Sequence, residues 1–351
     1  MRLVLDPAEE AAHARWLAET PGAYEWWYFD ALSDDGRWAL ACIWFLGNPF
    51  SPYYRLSASG RPADPLDHNA LFFALYENGR LHAYHFSRFP RAQVQAVETL
   101  PGEMAFGGNR LTFGPGRLWT LSLSDRNANG RRMEAAVTFE GWPLIAPSGG
   151  GEAQEDGGRD VAHSWLPAAP ACRVRVRIGL RAPHNAGEEV VAFRGAGYHD
   201  HNWGRLPFAA DIQDWYWARA ALGDERAVVL YHVRPRRGAQ ATSHLLVFDR
   251  GRIVRHDAAP RVSLSRPQVN AFGTLYAGRL TAESGGLMAT FDLNGRLDSA
   301  PFYVRTLGTA TVRGEDGRTG VGRGIGEYLR PGVMAWPLVA SAMKARIVEQ
   351  P

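Results

Sequence analysis

The sequence predicts an all-β protein, built of antiparallel barrels or sandwiches with short helices near each end, and three observations carry that prediction. Short runs rich in aromatic and β-branched residues recur along the 351 residues, divided by Asp, Asn and Gly. Twenty-two prolines and 38 glycines leave little room for long helices. The third observation is an internal repeat. Glu25-Trp26-Trp27-Tyr28-Phe29-Asp30-Ala31 through Asp35-Gly36-Arg37 aligns with Asp214-Trp215-Tyr216-Trp217-Ala218-Arg219-Ala220 through Asp224-Glu225-Arg226. Two copies half a chain apart suggest two related β-domains, each opening on an aromatic strand and a tight turn. The boundary is placed near residue 185, giving an N-terminal domain over 1–185 and a C-terminal domain over 186–351.

Taken in order, Pro7 to Leu17 has helical spacing and Pro21-Gly22 stops it. Glu25–Ala31 and Trp38–Leu46 then flank an Asp-Gly turn, a hairpin signal. Further strand-like runs follow at 70–77, 81–87, 118–124 and 133–140, with turns at Asn78-Gly79, Gly107-Gly108-Asn109 and Asn127–Gly130. Residues 147–158 are rich in Gly and acid without an apolar pattern and read as an exposed loop. Arg173–Leu180 alternates like a half-exposed strand, and Val190–Phe193 leads into a dense stretch, Gly197-Tyr198-His199-Asp200-His201-Asn202-Trp203-Gly204. The apolar stripe over Val333–Ile347, backed by Lys344 and Arg346, suits a helix packed on a barrel or lying in a membrane interface.

Composition narrows the class. With 46% hydrophobic and 21% charged residues the chain is that of a folded globular protein. The net charge of +3 is small and spread out, carried almost wholly by Arg, which argues against a nucleic-acid surface. Cys42 and Cys172 match no metal-ligand spacing and lie in apolar runs, so buried thiols are expected rather than a disulfide. The N-terminus carries no signal-like pattern and no apolar run of about 18 residues occurs, so the reading is a soluble, cytoplasmic protein.

The chemistry concentrates in Gly197–Gly204. Asp200 sits among Tyr198, Trp203 and two histidines, and a carboxylic acid in an aromatic pocket has its pKa raised by desolvation, which suits a general acid. The competing reading is a loop aspartate bound to backbone N–H groups. His199 and His201 share one face of a strand and could bind zinc, but no third ligand is spaced to complete the site, and no metal is assigned. Neither a Gly-x-Ser-x-Gly elbow nor a nucleotide-binding glycine loop in a βαβ setting is present. His163-Ser164-Trp165 supplies another i, i+2 pair. With Tyr198 and Asp200 it offers an acid, a base and two π-faces, a set suited to protonating an alkene and shielding the cation that forms.

Several motifs in the same order resemble the carotenoid 1,2-hydratase (hydroxyneurosporene synthase) family, within the AttH-like double-lipocalin superfamily. They are Trp27 to Gly36, Phe50-Ser51-Pro52-Tyr53-Tyr54, Asp67-His68-Asn69-Ala70-Leu71, His163-Ser164-Trp165 and Gly197 to Gly204. The resemblance implies two lipocalin-like antiparallel β-barrels packed together. It also implies a cofactor-free hydro-lyase that adds water to the terminal double bond of an acyclic carotenoid. The residues it ties to catalysis are His163, Trp165, Tyr198 and Asp200. On this reading Asp200 protonates the alkene, Trp165 and Tyr198 face the tertiary cation, and His163 positions or deprotonates water. Trp26, Tyr28, Trp203, Trp215, Trp217 and His201 are expected to contact a hydrophobic polyene, and the C-terminal segment to touch membrane. Two other readings stay open: a polyene cyclase or pericyclase using the same pocket, and a lipid carrier without chemistry.

Overall fold

The computed structural model describes residues 1–57, 63–115, 118–142, 144–145, 163–183, 187–205, 211–236, 240–344 and 346–349. The loop expected over 147–158 lies outside the described residues. Two curled sheets make up the fold, one of 13 strands and one of nine, each an open half-barrel. Neighbouring strands are antiparallel except where Arg2–Leu3 and Val348–Glu349 add parallel edges.

The centre of the first sheet runs Trp38–Leu46, Ala23–Ser33, Glu188–Arg205, His163–Arg181, Arg132–Trp142. Strand Leu118–Arg126, further out, alternates buried and exposed along most of its length, as expected for one wet face. Ala23–Ser33 is buried at every position, because both its faces meet a core. Trp27 and Phe29 enter the core of the first half, whereas Trp26 and Tyr28 enter a second core shared with residues of the other sheet, among them Trp215 and Trp217. The repeat is thus a pair of matched strands, Ala23–Ser33 and Ile212–Ala221, each opening a hairpin. They meet across the seam, where Tyr28 and Trp217 pack edge to face at 5.4 Å and the buried Asp30 and Arg219 form an ion pair.

The sequence pattern puts the division near residue 185, but the sheets part later. Strand Glu188–Arg205 is hydrogen-bonded between Ala23–Ser33 and His163–Arg181 in the first sheet, and the second sheet begins at Ile212. Gly197 allows the close approach there: a Cβ would meet the Phe139 ring at 2.8 Å and collide with Val174.

Both terminal helices are shorter than their patterns suggest. The first is a 3₁₀ turn, Pro7–Glu10, and an α-helix, Ala14–Glu19. Between them the chain turns so that Glu10 accepts from Trp119 Nε1 and His13 reaches Glu25. At the other end Pro331–Ala335 and Pro337–Lys344 are separate turns of helix, since Pro337 lacks the N–H that would continue the first. Cys42 and Cys172 are free and buried. Among the described residues no helix is long and apolar enough to cross a membrane.

Candidate active site

A cavity of about 420 Å³ lies in the seam between the sheets. Its walls include Trp26 and Tyr28 from the first repeat strand, Trp215 and Trp217 from the second, Phe45 and Phe72, and helix residues Val339 and Met343. Such a volume and apolar lining are those of a small-molecule site. Asp200 and Asn202 open onto it from Glu188–Arg205. The period of two in a strand puts Tyr198, Asp200 and Asn202 on one face and His199 and His201 on the other.

Three donors hold the Asp200 carboxyl. Tyr198 OH and Trp165 Nε1 both reach Oδ2 at 2.9 Å, and Asn202 Nδ2 reaches Oδ1 at 2.7 Å. Trp165 is delivered by register, standing opposite Asn202 on the adjacent strand. The ring of Tyr198 packs on Trp217 at 5.1 Å. Burial pushes the Asp200 pKa up to about 7, although these hydrogen bonds favour the charged form and pull the other way. Oδ2 carries two bonds and Oδ1 only Asn202's, so Oδ1 is the oxygen with more room for a proton.

His163 is completely buried and is not part of the cavity wall. Its ring is sandwiched between Trp26 at 5.2 Å and Trp215 at 5.4 Å. Nδ1 shares a hydrogen bond with Tyr24 OH at 3.1 Å and Nε2 one with Tyr231 OH at 2.8 Å, and Tyr231 does line the cavity. Burial lowers the His163 pKa to about 3, so the ring is neutral. Both nitrogens of this buried imidazole are thus engaged by phenols.

Of the aromatic residues expected to contact substrate, Trp26, Tyr28, Trp215 and Trp217 line the cavity. Trp203 and His201 do not. His201 stacks on Trp27 at 4.5 Å and Trp203 packs against His13, both on the far side of the sheet. One polar pair in the wall has no sequence signal. Arg305, almost wholly buried, donates from Nε to Glu327 Oε1 at 2.9 Å and from Nη1 to Tyr76 OH at 3.1 Å. Its guanidinium lies over the rings of Phe72 and Tyr28. Although burial opposes its charge, the surrounding phenols and Glu327 keep it cationic.

Residues 42–325 match the family described as carotenoid hydratase CrtC. The chain belongs to the carotenoid hydratase family. A hydroxyneurosporene dehydrogenase of Chlorobaculum tepidum is 32% identical over 94% of this chain and 88% of its own. The acyclic carotenoid 1,2-hydratase of Thiocapsa roseopersicina is 31% identical over 85% of this chain and 67% of its own. In fold, the chain is similar to an AttH-type protein of Nitrosomonas europaea, with a TM-score of 0.61 at 16% identity over 93% of this chain and 97% of the other. Membership makes this carotenoid hydratase family protein a hydro-lyase acting on a hydrophobic polyene.

Proposed function

We propose that this protein is an acyclic carotenoid 1,2-hydratase in which Asp200 is the acid. The observation that carries the reading is a carboxyl group still protonated near neutrality, held by three donors and facing an aromatic cavity. The Asp200 proton passes to the less substituted carbon of the terminal double bond, leaving a tertiary cation and a carboxylate. Water adds to the cation, and the proton it sheds restores the acid, so alkene and water become a tertiary alcohol with nothing else consumed. Tyr198 and Trp165 steady the carboxylate formed in the first step, as charge-assisted donors do. The π-faces of Tyr28, Trp215 and Trp217 stabilise the cation by about 2 kcal/mol each at best when dry. His163 acts through Tyr231 as a positioning residue. This route uses the chain's own side chains without a cofactor.

A cavity of about 420 Å³ suits the reacting end group, with the rest of the polyene leaving through the mouth. That mouth supports a second part of the reading, contact with a membrane surface that supplies the substrate. Leu338, Trp336 and Phe272 are 86%, 59% and 56% exposed, Phe272 also lines the cavity, and Lys344 and Arg346 lie beside it on the rings of Tyr53 and Tyr84. The reading is of a cytoplasmic protein, peripherally attached through this surface.

Incubation with lycopene or neurosporene in H₂¹⁸O tests the chemistry. A product heavier by one labelled water, with the oxygen on the terminal tertiary carbon, is expected; a cyclised isomer of unchanged mass or unaltered substrate overturns the hydratase reading. Flotation with vesicles tests the surface, where Leu338→Glu with Trp336→Glu should release the protein.

A further inference from the structure

The far face of strand Glu188–Arg205 holds a second cluster of proton-handling groups, independent of the cavity. His201 from this strand, Glu25 from Ala23–Ser33 and His13 from the turn before helix Ala14–Glu19 converge behind the sheet. Their ligand atoms lie within 4.8 Å of one another, and all three residues are buried or nearly so.

The hydrogen bonds around the cluster fix which nitrogens face inward. His201 Nδ1 lies 2.7 Å from the Glu9 carbonyl, which can only accept, so Nδ1 carries the proton. His13 Nε2 lies 2.8 Å from the Glu9 carboxylate and is likewise the donor. The remaining nitrogens, His13 Nδ1 and His201 Nε2, are buried, make no well-formed hydrogen bond and are both directed at Glu25 Oε1. His13 Nδ1 is in close contact with that oxygen, and His201 Nε2 lies 3.7 Å from it. Glu25 is itself anchored by the His13 backbone N–H, at 3.0 and 3.1 Å from its two oxygens.

Two lone pairs and a carboxylate aimed at one point repel unless something positive stands between them. A proton on His13 satisfies that nitrogen alone, because 3.7 Å is beyond hydrogen-bond reach for His201. A divalent ion would satisfy all three. The outer bonds from Glu9 are those that ligating imidazoles make, with the second ring N–H donated to a carboxylate or backbone carbonyl.

We propose that His13, Glu25 and His201 form a buried binding site for a late first-row divalent cation, with zinc the best fit to two imidazoles and one carboxylate. Zinc bonds of about 2.0–2.1 Å put tetrahedral ligand atoms about 3.3 Å apart, so shifts of about 1 Å close the site. The ion would tie the N-terminal segment to the two central strands of the first sheet, a structural role apart from the cavity chemistry. His199 is not a ligand: its Nδ1 bonds to the Tyr28 carbonyl and its Nε2 to Glu10.

The test needs no turnover. The full chain is stripped with a chelator, titrated with zinc chloride, and followed by elemental analysis after desalting and by thermal unfolding. About one tightly held zinc per chain and a raised Tm are expected. Glu9→Ala, which leaves the three ligands in place, should weaken affinity about 10- to 100-fold. Should His201→Ala or Glu25→Gln fail to fold, cobalt added to the unaltered chain gives the independent readout, as intense visible bands of a tetrahedral site. Zinc that leaves the Tm unchanged and is lost on desalting overturns the proposal and leaves an imidazolium–carboxylate pair of His13 with Glu25. Binding that is equally tight in a folded His201→Ala variant overturns it as well.

Discussion

The two faces of strand Glu188–Arg205 carry similar residues and do opposite things with them. Toward the seam, Asp200 meets three neutral donors and an aromatic cavity, and burial drives its pKa up to about 7. Toward the first half, the histidines meet carboxylates. Glu10 reaches His199 Nε2 at 2.8 Å, and Glu25 faces both His13 and His201. Behind the sheet, contacts between imidazoles and carboxylates fasten the N-terminal segment to the strands. On the seam face an acid left without a cationic partner keeps a proton it can give away. Side-chain type does not separate the two roles; the partner does.

The largest effect should come from Asp200→Asn. An amide accepts the same bonds from Tyr198 and Trp165 but has no proton to transfer, so turnover should fall roughly 10²- to 10⁴-fold. Stability should move the other way. The Asp200 pKa is raised in the folded chain above its ordinary value of 3.8, so its contribution is complete below about pH 4 and is lost as pH rises through about 7. The variant should therefore unfold at a higher temperature than the unaltered chain at pH 8, and no less readily at pH 4. Retained turnover would remove Asp200 as the acid.

The other face should respond in stability. Phe29 stacks on His199 at 3.9 Å and is fully buried in the first-half core. Phe29→Ala should cost about 3–5 kcal/mol in unfolding free energy while the folded fraction keeps its KM. A raised KM with unchanged stability would mean that the faces are not separate.

Much of this arrangement is legible from residue order, and its failures have physical causes. The aromatic repeat gives both walls of the cavity, because Trp26, Tyr28, Trp215 and Trp217 alternate in step with their strands. The same period of two puts His201 and Trp203 opposite Asp200, so their assignment to the substrate face contradicts a signal already present in the sequence. The sheet boundary after Arg205 is hidden, since Glu188–Arg205 is buried through its second half and lacks the alternation that marks an edge. Tyr231 and the Arg305–Glu327 pair reach the site only through long-range packing, and neither lies in a motif.

Between these extremes lies Trp165→Phe, which probes how the acid is held. It removes one donor from the carboxylate, so the Asp200 pKa should rise by roughly one unit. The protonated form is the active one; kcat/KM should therefore be level at low pH and fall through about 7 in the unaltered enzyme, and fall later in this variant. An unmoved alkaline limb would show that Trp165 serves the cation and not the acid.

The smallest effect, and the most discriminating, concerns His163. Were it the base that takes a proton from water, its replacement would abolish turnover whatever happened at Tyr231. As a neutral ring bonded at Nδ1 to Tyr24 and at Nε2 to Tyr231, it should instead cost only about tenfold when changed to Phe. Tyr231→Phe should cost a similar amount, because either change breaks the same contact. The double variant should then be no worse than the poorer single one, giving a coupling energy of about 0.5–3 kcal/mol in a double-mutant cycle. His163→Gln, which can still bond to one of the two phenols, should recover part of the rate with the alkaline limb in place. Additive losses in the cycle would mean that His163 reaches the substrate by itself, and that the seam holds two proton-transfer groups where the geometry supports one.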